Sequence, residues 1–384
     1  MHYHFINSPT SAPAGWLQGR PLATRMLQED ASSAVPDVFS IPQNYRRERL
    51  HLPTIGIGTA SWGDPRRGWG ITFNTTDVAE AFDVCTGAGI DLFDTSEVYG
   101  YQSVKLSESS ELLLCSLAAR SPTPPPVLST KFMPVPWTNL LAGGGLRVGR
   151  QAVVQAARAS LARLGVGSVD IYSLHAPIPY IGGRRALYEG LAECYHLGLC
   201  RGVGVCNFNA NQLKEAYSAF RALGVPLVSN QVRYSIMNIE REVDGTIETC
   251  LELGVTPVAH TPLAGGLASG FYASALTGRR GRRGRVGRFQ YGQLLALSHL
   301  FEAMGEVCEE RSTEATPRTE AQVALRYVVA KGCVPIPGVN TAAQAREVAG
   351  ALDFALDLAE LETLDEHART LHARRRELPW LKGL

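Results

Sequence analysis

The chain has 384 residues, 45% of them hydrophobic and 19% charged, with a formal net charge of +1. That balance belongs to an ordinary globular protein and provides no general attraction to nucleic acid or to an anionic membrane. No apolar run approaches the roughly 20 residues a bilayer-spanning helix needs.

The 8 cysteines form no Cys-x-x-Cys pair and have no histidine cluster beside them. They read as small buried hydrophobes of a reducing compartment, with neither a disulfide framework nor a metal site expected. Residues 1–48 are rich in proline and serine and carry Arg20 and Arg25, with no acidic residue before Glu29. They read as a disordered extension or an organelle transit segment, followed by one domain over residues 49–384.

From residue 51 onward, short apolar runs alternate with amphipathic stretches. Leu52–Ala60 reads as a strand. Thr75-Thr76-Asp77 opens a helix that Gly87 and Gly89 close. A strand over 89–93 ends at Asp94. Ser107–Ala119 reads as a helix, and the strand Val127–Thr130 ends at Lys131. Arg147–Leu164 carries Val153, Ala156, Ala157, Leu161 and Leu164 at helical spacing and stops at Gly165. The strand 169–174 ends at His175. Helices are then expected over 184–197, 209–223, 240–253, 319–331 and 341–351, with strands over 202–205, 227–229, 256–259 and 333–336. A long loop fills the interval between the strand at 256–259 and the helix at 319–331.

Strands that alternate with helices imply a parallel sheet with helical crossovers. Eight such units in about 300 residues suit a closed (β/α)8 TIM barrel. An open doubly wound sheet would want a three-glycine turn after the first strand, and Gly56-Ile57-Gly58-Thr59-Ala60 lacks the third glycine. In a barrel, residues at successive strand ends meet at one mouth. Asp94, Lys131 and His175 follow the second, third and fourth strands, and Tyr99 lies on the loop after Asp94.

A free phenol has a pKa near 10, too high for easy proton transfer at neutral pH. A neighbouring ammonium favours the phenolate and lowers that value. Asp94 is placed to hold Lys131, His175 to orient a carbonyl oxygen, and Tyr99 to donate a proton to it. Taken singly, each has a plainer role: a strand-end Asp caps turns, and a lone Tyr or His packs.

Phe93-Asp94-Thr95-Ser96-Glu97-Val98-Tyr99-Gly100, Ser129-Thr130-Lys131-Phe132, Ser173-Leu174-His175 and Gly202-Val203-Gly204-Val205-Cys206-Asn207-Phe208 resemble the aldo-keto reductase superfamily. So do Asn230-Gln231-Val232-Arg233-Tyr234-Ser235, Thr261-Pro262-Leu263 and Val334-Pro335-Ile336-Pro337-Gly338, and the resemblance runs from Leu52 to Leu364. It is strongest to the plastid members of plants and algae, which favours a chloroplast location over a cytoplasmic one.

The resemblance implies a barrel enzyme that reduces a small aldehyde or ketone with NADPH, NADH being possible, with Tyr99 as acid and Asp94, Lys131 and His175 as its partners. It implies cofactor contacts from Cys206, Asn207, Gln231, His260, Pro262, Leu263, Gly338, Asn340 and Gln344. Asn207 and Gln231 suit a carboxamide because each amide both donates and accepts.

Cys206 stands where serine is usual, His260 where a tyrosine stacks under nicotinamide, and Asn340 where a basic residue meets the 2′-phosphate, leaving Thr341, Gln344 and Arg346 for that task. Arg279–Arg288 holds six arginines interleaved with glycine and reads first as a solvated loop, then as a clamp over the pyrophosphate. Trp62, Trp69 and Trp137 are candidates for pocket walls, with aromatic packing the plainer role for each. No nucleic-acid or membrane partner is expected, and the chain should be a monomer or weak oligomer. The rival readings are a cofactor-binding regulatory subunit of the channel beta-subunit type, and reduction of pyridoxal in particular.

Overall fold

The computed structural model describes residues 38–40, 50–100, 108–120, 125–135, 147–277, 285–286, 289–378 and 380. Trp137 and most of Arg279–Arg288 lie outside the described residues, as does all but a short part of 1–48.

Eight parallel strands pair in chain order: β1 (Ile57–Gly58), β2 (Leu92–Asp94), β3 (Val127–Phe132), β4 (Val169–Leu174), β5 (Cys200–Cys206), β6 (Leu227–Arg233), β7 (Thr256–His260) and β8 (Val334–Ile336). The seam between β8 and β1 is closed by the Gly56 N–H to the Pro335 carbonyl and the Gly58 N–H to the Pro337 carbonyl, each at 2.9 Å. A Cβ on Gly58 would stand 3.0 Å from the Ile336 carbonyl oxygen, so a side chain here would crowd the seam. The expected (β/α)8 barrel is the observed one.

Helices cover the outside: α1 (Thr75–Gly87), α2 (Ser110–Ala118), α3 (Gly149–Leu164), α4 (Gly183–His196), α5 (Ala210–Ala222), α6 (Glu240–Val243), α7 (Thr246–Glu252), α8 (Phe271–Thr277), α9 (Tyr291–Leu295), α10 (Ser298–Arg311), α11 (Glu320–Ala330), α12 (Ala342–Gly350) and α13 (Leu358–Ala373). Their starts follow local chemistry. Asn74, Asn209, Thr319 and Asp357 form capping boxes with Asp77, Gln212, Gln322 and Glu360.

Three expectations are corrected. Leu52–Ala60 is not one strand: His51–Pro53 pairs antiparallel with Val38–Ser40, and only Ile57–Gly58 joins the barrel. Pro53 has no N–H to continue a ladder. Leu50 and Leu52 instead pack on Ile171 and Val228, which plugs the barrel floor.

The expected helix 240–253 is interrupted between Val243 and Thr246, where Gly245 takes a φ of 75°. The long loop after β7 contains α8, α9 and α10. In α10, Leu300, Phe301, Ala303, Met304, Val307 and Cys308 form a buried face packed against α11 and α13. Seven of the cysteines are buried, Cys115 is partly so, and none of the eight forms a disulfide. No helix among the described residues is long and apolar enough to cross a membrane.

Candidate active site

Strand alternation sets which side chains enter the mouth. Ser129 and Lys131 share the inward face of β3, and Ser229, Gln231 and Arg233 share that of β6. Pairing brings Asp94 opposite Ser129, and Lys131 opposite Ser173.

Lys131 Nζ donates to Asp94 Oδ2 at 2.5 Å and to the Thr95 carbonyl at 2.7 Å. Asp94 Oδ1 accepts from Ser129 Oγ at 3.0 Å and from Gln231 Nε2 at 2.9 Å. Lysine and carboxylate are both buried, and these extra donors and acceptors satisfy the pair.

Tyr99 arrives on the loop after β2. The Lys131 ammonium lies 4.9 Å from its ring centroid. The His175 ring stands edge-on to Tyr99, with centroids 5.6 Å apart at 82°. Its Nδ1 is 3.0 Å from Ser96 Oγ, which fixes the ring's orientation. All four sequence-predicted chemical residues are therefore brought together.

Burial dominates their protonation. It raises the Tyr99 phenol above its ordinary value, and Lys131 pulls back without prevailing. The expected net lowering is thus not observed, because desolvation of the phenolate outweighs the ammonium. Burial lowers Lys131, but the Asp94 carboxylate and Tyr99 raise it further, so it stays an ammonium. Burial, then Lys131 and His260, push His175 down to about 3. Burial, then Arg233 and Lys131, push His260 down to about 4. Both rings are neutral near pH 7.

A cavity of about 850 Å3 opens above these groups, within the roughly 300–1,000 Å3 typical of small-molecule sites. Asp94, Tyr99, His175, Asn207, Gln231 and His260 line it, as do Pro262 and Leu263 after β7 and Gly338, Asn340 and Gln344 after β8. Cys206 does not line it but is buried beneath, its thiol pushed by burial up to about 12.

Strained backbone accompanies the lining. Asn207, Thr261 and Ala264 are the only non-glycine residues with positive φ among those described, at 62°, 59° and 50°. His260 Nε2 is 3.2 Å from Asn207 Oδ1, and its Nδ1 is 3.0 Å from Thr261 Oγ1. Asn340 Oδ1 accepts from Ser61 Oγ at 2.6 Å, and its N–H donates to Gln344 Oε1 at 2.8 Å, which ties the loops after β1 and β8. A cavity of this size lined by two amides and a flat neutral ring fits a nicotinamide dinucleotide.

The sequence profile described as "Aldo/keto reductase family" matches residues 54–369. The chain belongs to the aldo/keto reductase family. As a member it is an NAD(P)H-dependent oxidoreductase. Among its relatives, "Pyridoxal reductase, chloroplastic" of Arabidopsis thaliana is 31% identical over 85% of this chain and 86% of that one. The 6-dehydroglucose reductase of Novosphingobium aromaticivorans is 27% identical over 78% and 87%.

A thermostable aldo-keto reductase crystallised with the inhibitor epalrestat matches with a TM-score of 0.63 at 24% identity, over 86% of this chain and 99% of that one. A Bombyx mori aldo-keto reductase in complex with NADP gives 0.61 at 20%, over 87% and 94%. These two structures support the barrel fold.

Other parts of this reductase depart from the sequence reading or were missed by it. Trp62 and Trp69 do not wall the cavity. Both are buried, donating from Nε1 to the Val339 carbonyl at 2.9 Å and to Glu108 Oε2 at 3.0 Å. Ser96, Ser129 and the Thr95 carbonyl, which hold the site in place, were not anticipated. Nor was Arg233, although its two-residue spacing from Gln231 puts it on the same face.

Proposed function

We propose that the enzyme reduces an aldehyde or ketone to an alcohol with NADPH, and that Tyr99 donates the proton. The observation that carries this reading is the buried Asp94–Lys131 pair set against Tyr99 at the edge of the cavity. Bound reduced nicotinamide would supply a hydride to the carbonyl carbon. Asn207 and Gln231 would offer amides to its carboxamide and His260 a neutral face to its ring, while Gln344, with Thr341 and Arg346 on the same segment, would be available to a 2′-phosphate.

Neutral His175 orients the carbonyl oxygen by a hydrogen bond. The raised pKa keeps Tyr99 protonated until charge develops on that oxygen, and the Lys131 ammonium then stabilises the phenolate left behind. We further propose residues 49–384 as one barrel domain, and residues 1–48 as a plastid transit segment in keeping with the chloroplastic relative. The test of the transit segment is to fuse 1–48 to a fluorescent reporter and see whether it enters plastids.

Pyridoxal is the first substrate to try, because the 31%-identical relative is named for its reduction. Purified protein is titrated with NADPH and NADH and then assayed with a panel of aldehydes that includes pyridoxal. Turnover with NADPH is the expected result. Cofactor binding without turnover of any carbonyl would favour the regulatory-subunit reading.

A further inference from the structure

We infer that Arg233 recognises a carboxylate or phosphate carried by the carbonyl substrate, in a side pocket that opens from the active site. This rests on the reductase reading and narrows its substrate class. Arg233 is the last residue of β6. Its neighbour Val232 points out into the helical layer and is fully buried there, so alternation turns Arg233 inward above Gln231. The guanidinium accordingly lines the main cavity together with Asp94, Tyr99 and His175.

It also lines a second pocket of about 370 Å3 that shares Asn207 and His260 with the first. The rest of that wall is polar and charged, with Arg241, Arg375, Asn238 and Glu240. A charge balance shows what the pocket lacks. Arg375 is held by Glu240 Oε2 at 2.8 Å and Asn238 Oδ1 at 3.0 Å. Arg241 is held by Asp244 Oδ2 at 2.7 Å. Among the described residues no ion pair or hydrogen bond reaches the Arg233 guanidinium, although its backbone pairs in the sheet with His260.

Its charge is felt locally, since it helps keep His260 neutral. Asp94 offers Arg233 no compensation, because it is already neutralised by Lys131. The fork of an arginine makes paired charge-assisted bonds with a carboxylate or phosphate, and a partly desolvated cation gains most from such a partner.

The pocket wall is anchored from behind. Arg375 follows α13, and α13 is fastened to the barrel by Asp365, which accepts from Lys331 Nζ and from the Tyr327 hydroxyl at 2.8 Å. The C-terminal turn is thus a fixed part of the pocket.

The test compares two matched pairs with NADPH: succinic semialdehyde against butanal, and pyridoxal phosphate against pyridoxal. The wild-type enzyme should prefer the anionic member of at least one pair in kcat/KM. In Arg233→Gln that preference should fall about 10- to 100-fold, the range expected for charge-assisted bonds. Arg233→Lys, which keeps the charge without the fork, should be intermediate.

The ratio is taken within each variant, so a general loss of activity does not imitate the result. Equal losses for both members of a pair would overturn the inference. So would a loss that appears as weakened NADPH binding in a fluorescence titration, which would assign Arg233 to the cofactor. Absence of turnover with every aldehyde in the wild type would instead sink the reductase reading itself.

Discussion

At the residue scale, the site is organised around one buried ion pair. Asp94 is satisfied on both oxygens, by Lys131, Ser129 and Gln231, so its charge tolerates complete desolvation. Removing one partner should be costly. Lys131→Met would leave a buried carboxylate without its cation, and a loss of about 3–5 kcal/mol in unfolding free energy is expected from urea denaturation. Lys131→Met together with Asp94→Leu should recover much of that loss, because no charge is then stranded. If the single substitution unfolds at the same urea concentration as wild type, the pair is not the centre of the site. Gln231 shows how one residue answers to two demands: its amide donates to Asp94 and still lines the cavity.

At the element scale, the loop after β2 must hold Tyr99 over Lys131, and it does so by a close backbone contact. Gly100 has a φ of 76°, and a Cβ there would lie 2.9 Å from the Glu108 carbonyl, the Ser110 nitrogen and the Trp62 carbonyl. Gly100→Ala should therefore lower stability by more than the about 1–2 kcal/mol of left-handed strain alone. It should also lower kcat, because Tyr99 is displaced. Thermal unfolding and steady-state kinetics would check both, and unchanged values in both would contradict the docking role.

Most elements were legible because each start and stop is local. Asn209 and Thr319 cap at the starts expected from the sequence, and Gly165 ends α3 in the left-handed conformation. What escaped was non-local. Pro53 sends the first strand to the barrel floor, and α10 is defined by a face that α8, α11 and α13 complete.

At the scale of the whole molecule, burial of two histidines couples the site to acid stability. The unfolded chain protonates a histidine near pH 6.5, whereas His175 is held down to about 3 and His260 to about 4. Above pH 6.5 neither state binds these protons, and the contribution is constant. Below it the unfolded state gains protons that the fold refuses, so stability falls with acid from 6.5 down through the folded values. The slope contributed by each histidine approaches about 1.4 kcal/mol per pH unit. His260→Gln should flatten the fall in unfolding free energy between pH 7 and 5, and an unchanged slope would contradict it.

The convergence of Asp94, Tyr99, Lys131 and His175 could be read from the chain because a barrel delivers successive strand ends to one mouth. The net rise of the Tyr99 pKa could not, since it depends on how deeply packing desolvates the phenol. Nor could the side pocket, whose wall joins β6, α6 and the turn after α13, residues far apart in sequence.

The most direct measurement is the single-turnover rate of hydride transfer from bound NADPH to an aldehyde, wild type against Tyr99→Phe. A proton donor in the transition state is worth about 10²–10⁴-fold, so the substitution should slow the step by that factor while the cofactor still binds. A rate within threefold of wild type would contradict the assignment of Tyr99 as the acid.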